Sequence, residues 1–277
     1  MILTTTSPSP YSLPAGLPEA LDRLARTPRL LVAIDFDGTL APFTDDPLRS
    51  RALPDSHLAL IALWKIPATK IAVVSGRALD SLRIVADPPK GTILVGSHGV
   101  EMQMVVGEDP DLQLTTQEIT DVSDLNELLD EVAEDHNEVW VEHKPAGAVL
   151  HTRGADSAEA QEAEHEALAD TEDEFSSLLV RPGKDVLEFS VREANKGEAL
   201  RELRRRTHAT GVFYAGDDLT DEDAFAVLRS GDVGVHAGYS GRTRAPFQVP
   251  GPAQITVVLQ YLASVRAAVS RQTATMA

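Results

Sequence analysis

The sequence predicts an α/β protein: an open, mainly parallel sheet covered by helices, interrupted by an inserted α+β unit. Three observations predict it. Short, wholly apolar runs recur between helical patterns, three of those runs stop directly on acidic or hydroxyl residues, and the middle of the chain changes to hairpins and amphipathic helices. Strands that are apolar on both faces belong to parallel sheets covered on either side, whereas tight hairpins make antiparallel ones.

Taken in order, residues 1–16 are rich in Ser, Thr and Pro and are expected to form a flexible arm. Leu30–Ile34 reads as a buried strand, and a helix is expected around Asp55–Trp64 with Leu58, Ile61 and Trp64 near one face. Lys70–Val74 and Thr92–Val95 continue the strand pattern. Later, Gly211–Ala215 and Asp232–Val235 resume it around a helix over Asp221–Leu228. The stretch 105–191 differs. Helical patterns at Ser123–Glu134 and Ser157–Ala169 alternate with strand pairs, Glu138–Lys144 with Ala148–Arg153 and Leu178–Arg181 with Val186–Val191. The expected organisation is therefore a core of residues 17–104 and 192–277 with a lid-like insert over 105–191, and a frayed end from about Arg271.

Composition narrows the function. With 277 residues, 43% hydrophobic and 25% charged, the chain is long enough for a large buried core. It has no apolar run near the roughly 18 residues of a membrane span. The first residues lack the basic start and apolar stretch of a secretory signal. The absence of cysteine excludes disulfides and thiolate chemistry and fits a cytoplasmic location. A net charge of −18 opposes binding to nucleic acid or anionic membranes. An anionic substrate therefore requires cations concentrated at its site.

Asp35-Phe36-Asp37-Gly38-Thr39 follows a buried strand. Two carboxylates this close repel and need a proton or cation between them, and magnesium, a hard ion, suits oxygen ligands. A carboxylate is also an adequate nucleophile toward phosphorus. Ser75-Gly76-Arg77 ends the next strand with a hydroxyl and exposed backbone for a phosphate oxygen. Asn195-Lys196-Gly197 opens a helix with a cation able to offset phosphate charge and reach Asp35. In Gly216–Asp223 five acids crowd seven residues. Helix-start preference explains Asp221 to Asp223, with Thr220 and Asp223 resembling a capping box, whereas Asp217 and Asp218 after a buried strand read as metal ligands. In the insert, Glu142 and Lys144 share one strand face, His151 and Arg153 pair on the next, and Glu188 points away from Leu187 and Phe189. That face suits either sugar hydroxyls or cross-strand ion pairs in solvent.

These four motifs, in this order, resemble those of the haloacid-dehalogenase-like phosphatases. With Gly96–Gly99, Val141–Pro145, His151–Arg153 and Arg181–Glu188 added, the chain from about Leu30 to Leu262 resembles the trehalose-6-phosphate phosphatases. The resemblance implies a Rossmann-like core with a specificity cap. It implies that Asp35 is the nucleophile and Asp37 the general acid, then base. Ser75 and Lys196 would grip the phosphoryl group, with Gly76, Arg77 and His98 beside it. Mg2+ would be held by Asp35, Asp37 through its backbone carbonyl, and Asp217, with Asp218 and Asp221 in support. Glu142, Lys144, Arg153 and Glu188 match positions that contact glucose. Phe36 stands where tyrosine is more frequent.

The expected partner is a small sugar phosphate, and the oligomeric state is open, a monomer being the starting assumption. Other readings are a phosphatase for sucrose 6-phosphate or mannosyl-3-phosphoglycerate, a phosphomutase, and a non-catalytic sugar-phosphate sensor. Degenerate sensors usually lose a nucleophile or metal ligand, and here Asp35, Asp37, Lys196 and Asp217 are all present.

Overall fold

The computed structural model describes residues 13–44, 46–105, 108–183, 185–193, 195–239 and 241–276. Most of the expected N-terminal arm therefore lies outside the described residues, as does Lys184 in the expected second hairpin turn. In chain order the elements are α1 (Leu17–Leu24), β1 (Leu30–Ile34), α2 (Pro54–Trp64), β2 (Thr69–Val74), α3 (Leu79–Ala86) and β3 (Ile93–Gly96). Then come β4 (Glu101–Gln103), β5 (Asp111–Leu112), α4 (Thr116–Asp135), β6 (Trp140–Lys144), β7 (Gly147–His151) and α5 (Ser157–Glu174). The chain ends with β8 (Leu179–Gly183), β9 (Val186–Ser190), α6 (Lys196–Thr207), β10 (Gly211–Gly216), α7 (Asp221–Ala226), β11 (Val233–Ala237), β12 (Phe247–Val249) and α8 (Pro252–Met276).

Two compact units result: one from residues up to Asp111 and from Asn195 onward, the other Leu112–Ala194. The larger unit is built on a sheet of order β12-β11-β10-β1-β2-β3-β4-β5. β12, β11, β10, β1, β2 and β3 pair in parallel, and β4 runs antiparallel to β3. Alternation along β1 sends Val32 and Ile34 into a core with α1, α2 and α8, and Leu31 and Ala33 into a second core with α6 and α7. Burial on both faces explains the unbroken apolar runs. The register sets Ile34 beside Val73 and Ala215, so β1, β2 and β10 end together. Because β1 lies between strands that lead away in opposite directions, this edge holds the crevice in which open α/β sheets bind ligands.

Two sequence expectations change here. In α2 the buried face is Ser56, Ala59, Leu60 and Leu63, while Leu58 and Trp64 are exposed. The helix carries apolar residues on every side, so periodicity does not select the inward face. The end expected to fray from Arg271 is helical to Met276. Within this helix Arg266 is buried, and its five N–H groups reach the carbonyls of Ala25, Thr27, Pro28 and Ala68 and the Thr69 hydroxyl. It thereby ties α8 to the end of α1 and the start of β2.

The smaller unit is a four-stranded sheet, β6-β7-β9-β8, antiparallel throughout and covered on one face by α4 and α5. α4 begins earlier than the apolar periodicity suggests, because Thr115 and Glu118 form a capping box. His136, just past the end of α4, is a clasp between the helices. Its Nδ1 lies 3.2 Å from Glu159 and its Nε2 3.0 Å from Glu166. Only the imidazolium donates from both nitrogens. The hydrogen bond to Glu166, against the effect of burial and aided by Glu159, raises the histidine above its ordinary value of 6.5. A raised value means that the clasp stabilises fully below the unfolded-state value and is lost as pH rises through the folded one. The stability difference between wild type and His136→Gln should accordingly shrink as pH rises from 6.5 toward alkaline values, as read by urea unfolding of the full chain. A constant difference would contradict the clasp.

Candidate active site

Asp35 and Asp37 leave the end of β1 on a loop that folds straight back. The Gly38 amide donates to Ala41 and the Ala41 amide to Phe36, both within 2.9 Å. Gly38 has φ +81°, and a Cβ there would stand 2.1 Å from an Asp217 oxygen. Glycine thus lets the carboxylate from β10 approach the β1 loop. Gly76 plays a similar part beside His98, whose ring a Cβ would meet at 2.4 Å.

The four sequence motifs meet in one cleft of about 360 Å³ in the larger unit, lined by Asp35, Asp37, Ser75, Gly76, Arg77, His98, Lys196, Asp217 and Asp218, together with Phe43. Lys196 opens α6 behind an Asn195 cap, whose side chain accepts the Gly197 and Glu198 amides at 2.8 and 3.1 Å. Its ammonium is almost wholly buried and donates to Asp35 at 2.8 Å and to Asp221 at 2.9 Å, with Asp218 at 3.7 Å. Burial alone would favour loss of its proton, but attraction to Asp35, Asp221 and Asp218 prevails and raises its pKa.

Asp221 lies beneath the cleft rather than in its lining. One of its oxygens accepts from Lys196 and from the Tyr214 hydroxyl at 2.6 Å, and the other from the amides of Asp217 and Asp218 at 2.9 and 3.0 Å. It is the post around which the strand–helix turn is built. Thr220 does not form the expected capping box. Its hydroxyl donates to Asp218, whose side chain takes the Asp221 amide instead. The short α7 is capped by the acid ahead of it.

Charge does not balance in this cluster. Four carboxylates, Asp35, Asp217, Asp218 and Asp221, share one ammonium. Burial raises Asp35, against the pull of Lys196, and burial raises Asp217 to about 6 despite a hydrogen bond from Thr39. Burial acts against Asp218 as well, but Lys196 and local hydrogen bonds hold it near 2. Oxygens of Asp35, Asp217 and Asp221 lie within 4.8 Å of one another, the group of metal-competent side chains found among the described residues, and of these Asp35 and Asp217 line the cleft while Asp221 is already engaged by four donors. Excess negative charge on hard oxygen donors is what a small divalent cation requires, so the donor set fits one.

Asp37 has a different setting. Arg77 forks onto it, Nε at 2.5 Å and Nη2 at 2.7 Å, and the Ser50 hydroxyl donates at 2.9 Å. Arg77 thus faces the carboxylate rather than open solvent. Sequence reasoning passed over Ser50, Thr39 and Tyr214, which orient Asp37, Asp217 and Asp221. Thr39 sits inside the first motif and Tyr214 is the polar head in an apolar strand. Ser50, in an irregular loop, has no sequence signal.

The remaining candidate residues belong to the smaller unit. Glu142, Lys144 and Glu188 lie on the sheet face opposite its helices, Glu142 and Glu188 flanking Val149 in one cross-strand row that ends at Arg181. Glu142 stands between His151 at 3.2 Å and Lys144 at 3.9 Å. Trp140, half-exposed, stacks on His151 with ring centres 3.7 Å apart. Arg153 lies past the end of β7, 4.0 Å from Asp185. No helix among the described residues is long and apolar enough to cross a membrane.

Comparison with known proteins places these features in a family. The family model described as Trehalose-phosphatase matches residues 33–251. A trehalose-phosphate phosphatase of Mycobacterium marinum is 30% identical over 264 residues, covering 90% of this chain and 66% of that protein. A bifunctional trehalose-6-phosphate synthase/phosphatase of Thermoproteus tenax is 33% identical over 230 residues, covering 81% of this chain and 30% of that protein. The chain thus spans less than two thirds of the length of these relatives. The C-terminal domain of a Candida albicans trehalose-6-phosphate phosphatase shares the fold, with a TM-score of 0.64 at 23% identity over 91% of this chain and 98% of that one.

Proposed function

The chain belongs to the trehalose-phosphatase family, and on that premise we propose that it hydrolyses trehalose 6-phosphate to trehalose and phosphate. The observation that carries the reading is the pairing of Asp35 with buried Lys196 in the cleft that also holds Asp37 and Asp217. Asp35 attacks phosphorus as the bond to the sugar oxygen breaks, and the leaving oxygen takes a proton from Asp37. Water then attacks the phosphorus of the aspartyl-phosphate, Asp37 takes a proton from it, and Asp35 is released.

Lys196 orients Asp35 and offers its third N–H to a phosphoryl oxygen, with Ser75 and the Gly76 backbone as further donors. Mg2+ is the cation we assign to Asp35 and Asp217, with Asp218 beside them, and when bound it would offset charge on the phosphoryl oxygens. Asp221, its oxygens occupied by four donors, is left to anchor Lys196 and the turn. To handle a proton, Asp37 must free one oxygen from the Arg77 fork. An incoming phosphate supplies a competing anion for that guanidinium. In the smaller unit we assign Glu142, Lys144, Arg153 and Glu188 to the sugar hydroxyls, which need donors and acceptors together.

Phosphate release from trehalose 6-phosphate, glucose 6-phosphate and sucrose 6-phosphate, with and without magnesium, tests this reading. The expected result is magnesium-dependent release that favours trehalose 6-phosphate by at least tenfold, roughly the discrimination of one well-placed contact. Equal rates on all three would remove the substrate assignment, and full release in the presence of chelator would remove the metal.

A further inference from the structure

We propose that Phe43 determines specificity, its ring forming the apolar wall of the cleft against which the sugar of the phosphate ester packs. The inference rests on the phosphatase reading above and names a contact that reading does not use. Phe43 is 76% exposed. A single exposed phenyl is ordinary on a protein surface. Its setting is what points to a ligand: among the described lining residues it is the one hydrocarbon side chain in a cleft of carboxylates, hydroxyl, imidazole and cations. Binding a phosphoryl group calls for donors and positive charge, and the cleft has both without it. The ring therefore serves the part of the substrate that is not phosphate.

The loop fixes the backbone that leads to the ring. Ala41 is buried and bridged to Asp37, the Leu53 amide closes onto the Leu40 carbonyl at 3.0 Å, and Pro42 fixes the backbone just before the phenyl. The position of Phe43 is thereby tied to the loop bearing both catalytic aspartates. A pyranose presents C–H groups on its faces and hydroxyls at its edges. An aromatic ring accepts the former while hydrogen-bonding groups take the latter.

The test compares kcat/KM for trehalose 6-phosphate with that for acetyl phosphate, which carries no sugar, in wild type, Phe43→Ala and Phe43→Tyr. The ratio of the two values should fall about tenfold in Phe43→Ala, through KM for the sugar ester, and stay within about threefold of wild type in Phe43→Tyr. An unchanged ratio in Phe43→Ala overturns the proposal, and if both values fall equally the ring is marked as part of the loop's structure. Wild type that hydrolyses acetyl phosphate but not trehalose 6-phosphate would overturn the substrate reading and this proposal together. Unchanged selectivity in Phe43→Ala with an active wild type overturns this proposal alone. Because the side chain is exposed, the variants should share the wild-type thermal midpoint, so a selectivity change is read on folded protein.

Discussion

Asp35→Asn is expected to lower phosphate release from trehalose 6-phosphate by at least roughly a thousandfold, the scale of loss when a covalent nucleophile is removed. An amide nitrogen or oxygen in that place does not form an acyl phosphate, and the other carboxylates of the cleft are engaged elsewhere, Asp37 with Arg77 and Ser50, Asp217 with Thr39 and Asp218 with Thr220. The variant should also fold. Burial raises the Asp35 pKa, which means that the folded chain disfavours its charge relative to the unfolded one. A neutral residue of the same shape removes that penalty, and Lys196 keeps Asp221 at 2.9 Å. Stability at pH 7 should be equal to or above wild type by urea unfolding. Release within tenfold of wild type would show that the nucleophile lies elsewhere.

Lys196→Ala is expected to damage both stability and activity. Lys196 is 1% exposed, and its ammonium touches two buried carboxylates. Removing one partner of a buried charge pair leaves the other without compensation, at about 3–5 kcal/mol. Here Asp35 and Asp221 both lose their cation, and Asp221 also holds the Asp217–Asp218 turn. The loss should be read by urea unfolding at pH 7. It should shrink toward acid pH, because protonation of the two carboxylates removes the charge that Lys196 offsets. Phosphate release should fall by at least about a hundredfold even under conditions where the variant is folded. A stability change below about 1 kcal/mol would contradict the role given to this lysine.

Much of the fold and of the site is legible in the sequence, for a physical reason. A parallel strand buried on both faces writes an unbroken apolar run into the sequence, so β1, β2, β3, β10 and β11 are visible, and the polar residues that stop β1, β2 and β10 mark the binding edge. The four motifs that meet in the cleft each follow a strand or open a helix, which makes their position legible. Other features leave no such trace. α2 is apolar around its whole circumference, so its inward face is set by the neighbours it meets, chiefly α8. α8 itself interleaves helix-favouring alanine and leucine with β-branched Ile, Val and Thr and with serine, a mixture that does not declare a helix. α4 does announce its start, through Thr115 and Glu118, a polar signal that apolar spacing does not contain. Ser50 and Phe43 reach the cleft from an irregular loop, where spacing carries no information about direction. Thr220 forms no capping box because its hydroxyl is turned back to donate to Asp218, two residues earlier, and so does not accept from the Asp223 amide.

The central claim is that Asp35 carries the phosphoryl group between sugar and water. The most direct measurement is to quench wild-type protein during its first turnover of trehalose 6-phosphate, reduce it with borohydride, and map the peptides by mass spectrometry. An acyl phosphate on a carboxylate is reduced to the alcohol, so homoserine at position 35, and no other aspartate converted, is the predicted result. Conversion at Asp37 or Asp217 instead, or phosphate released at full rate with position 35 unmodified throughout that turnover, would contradict it.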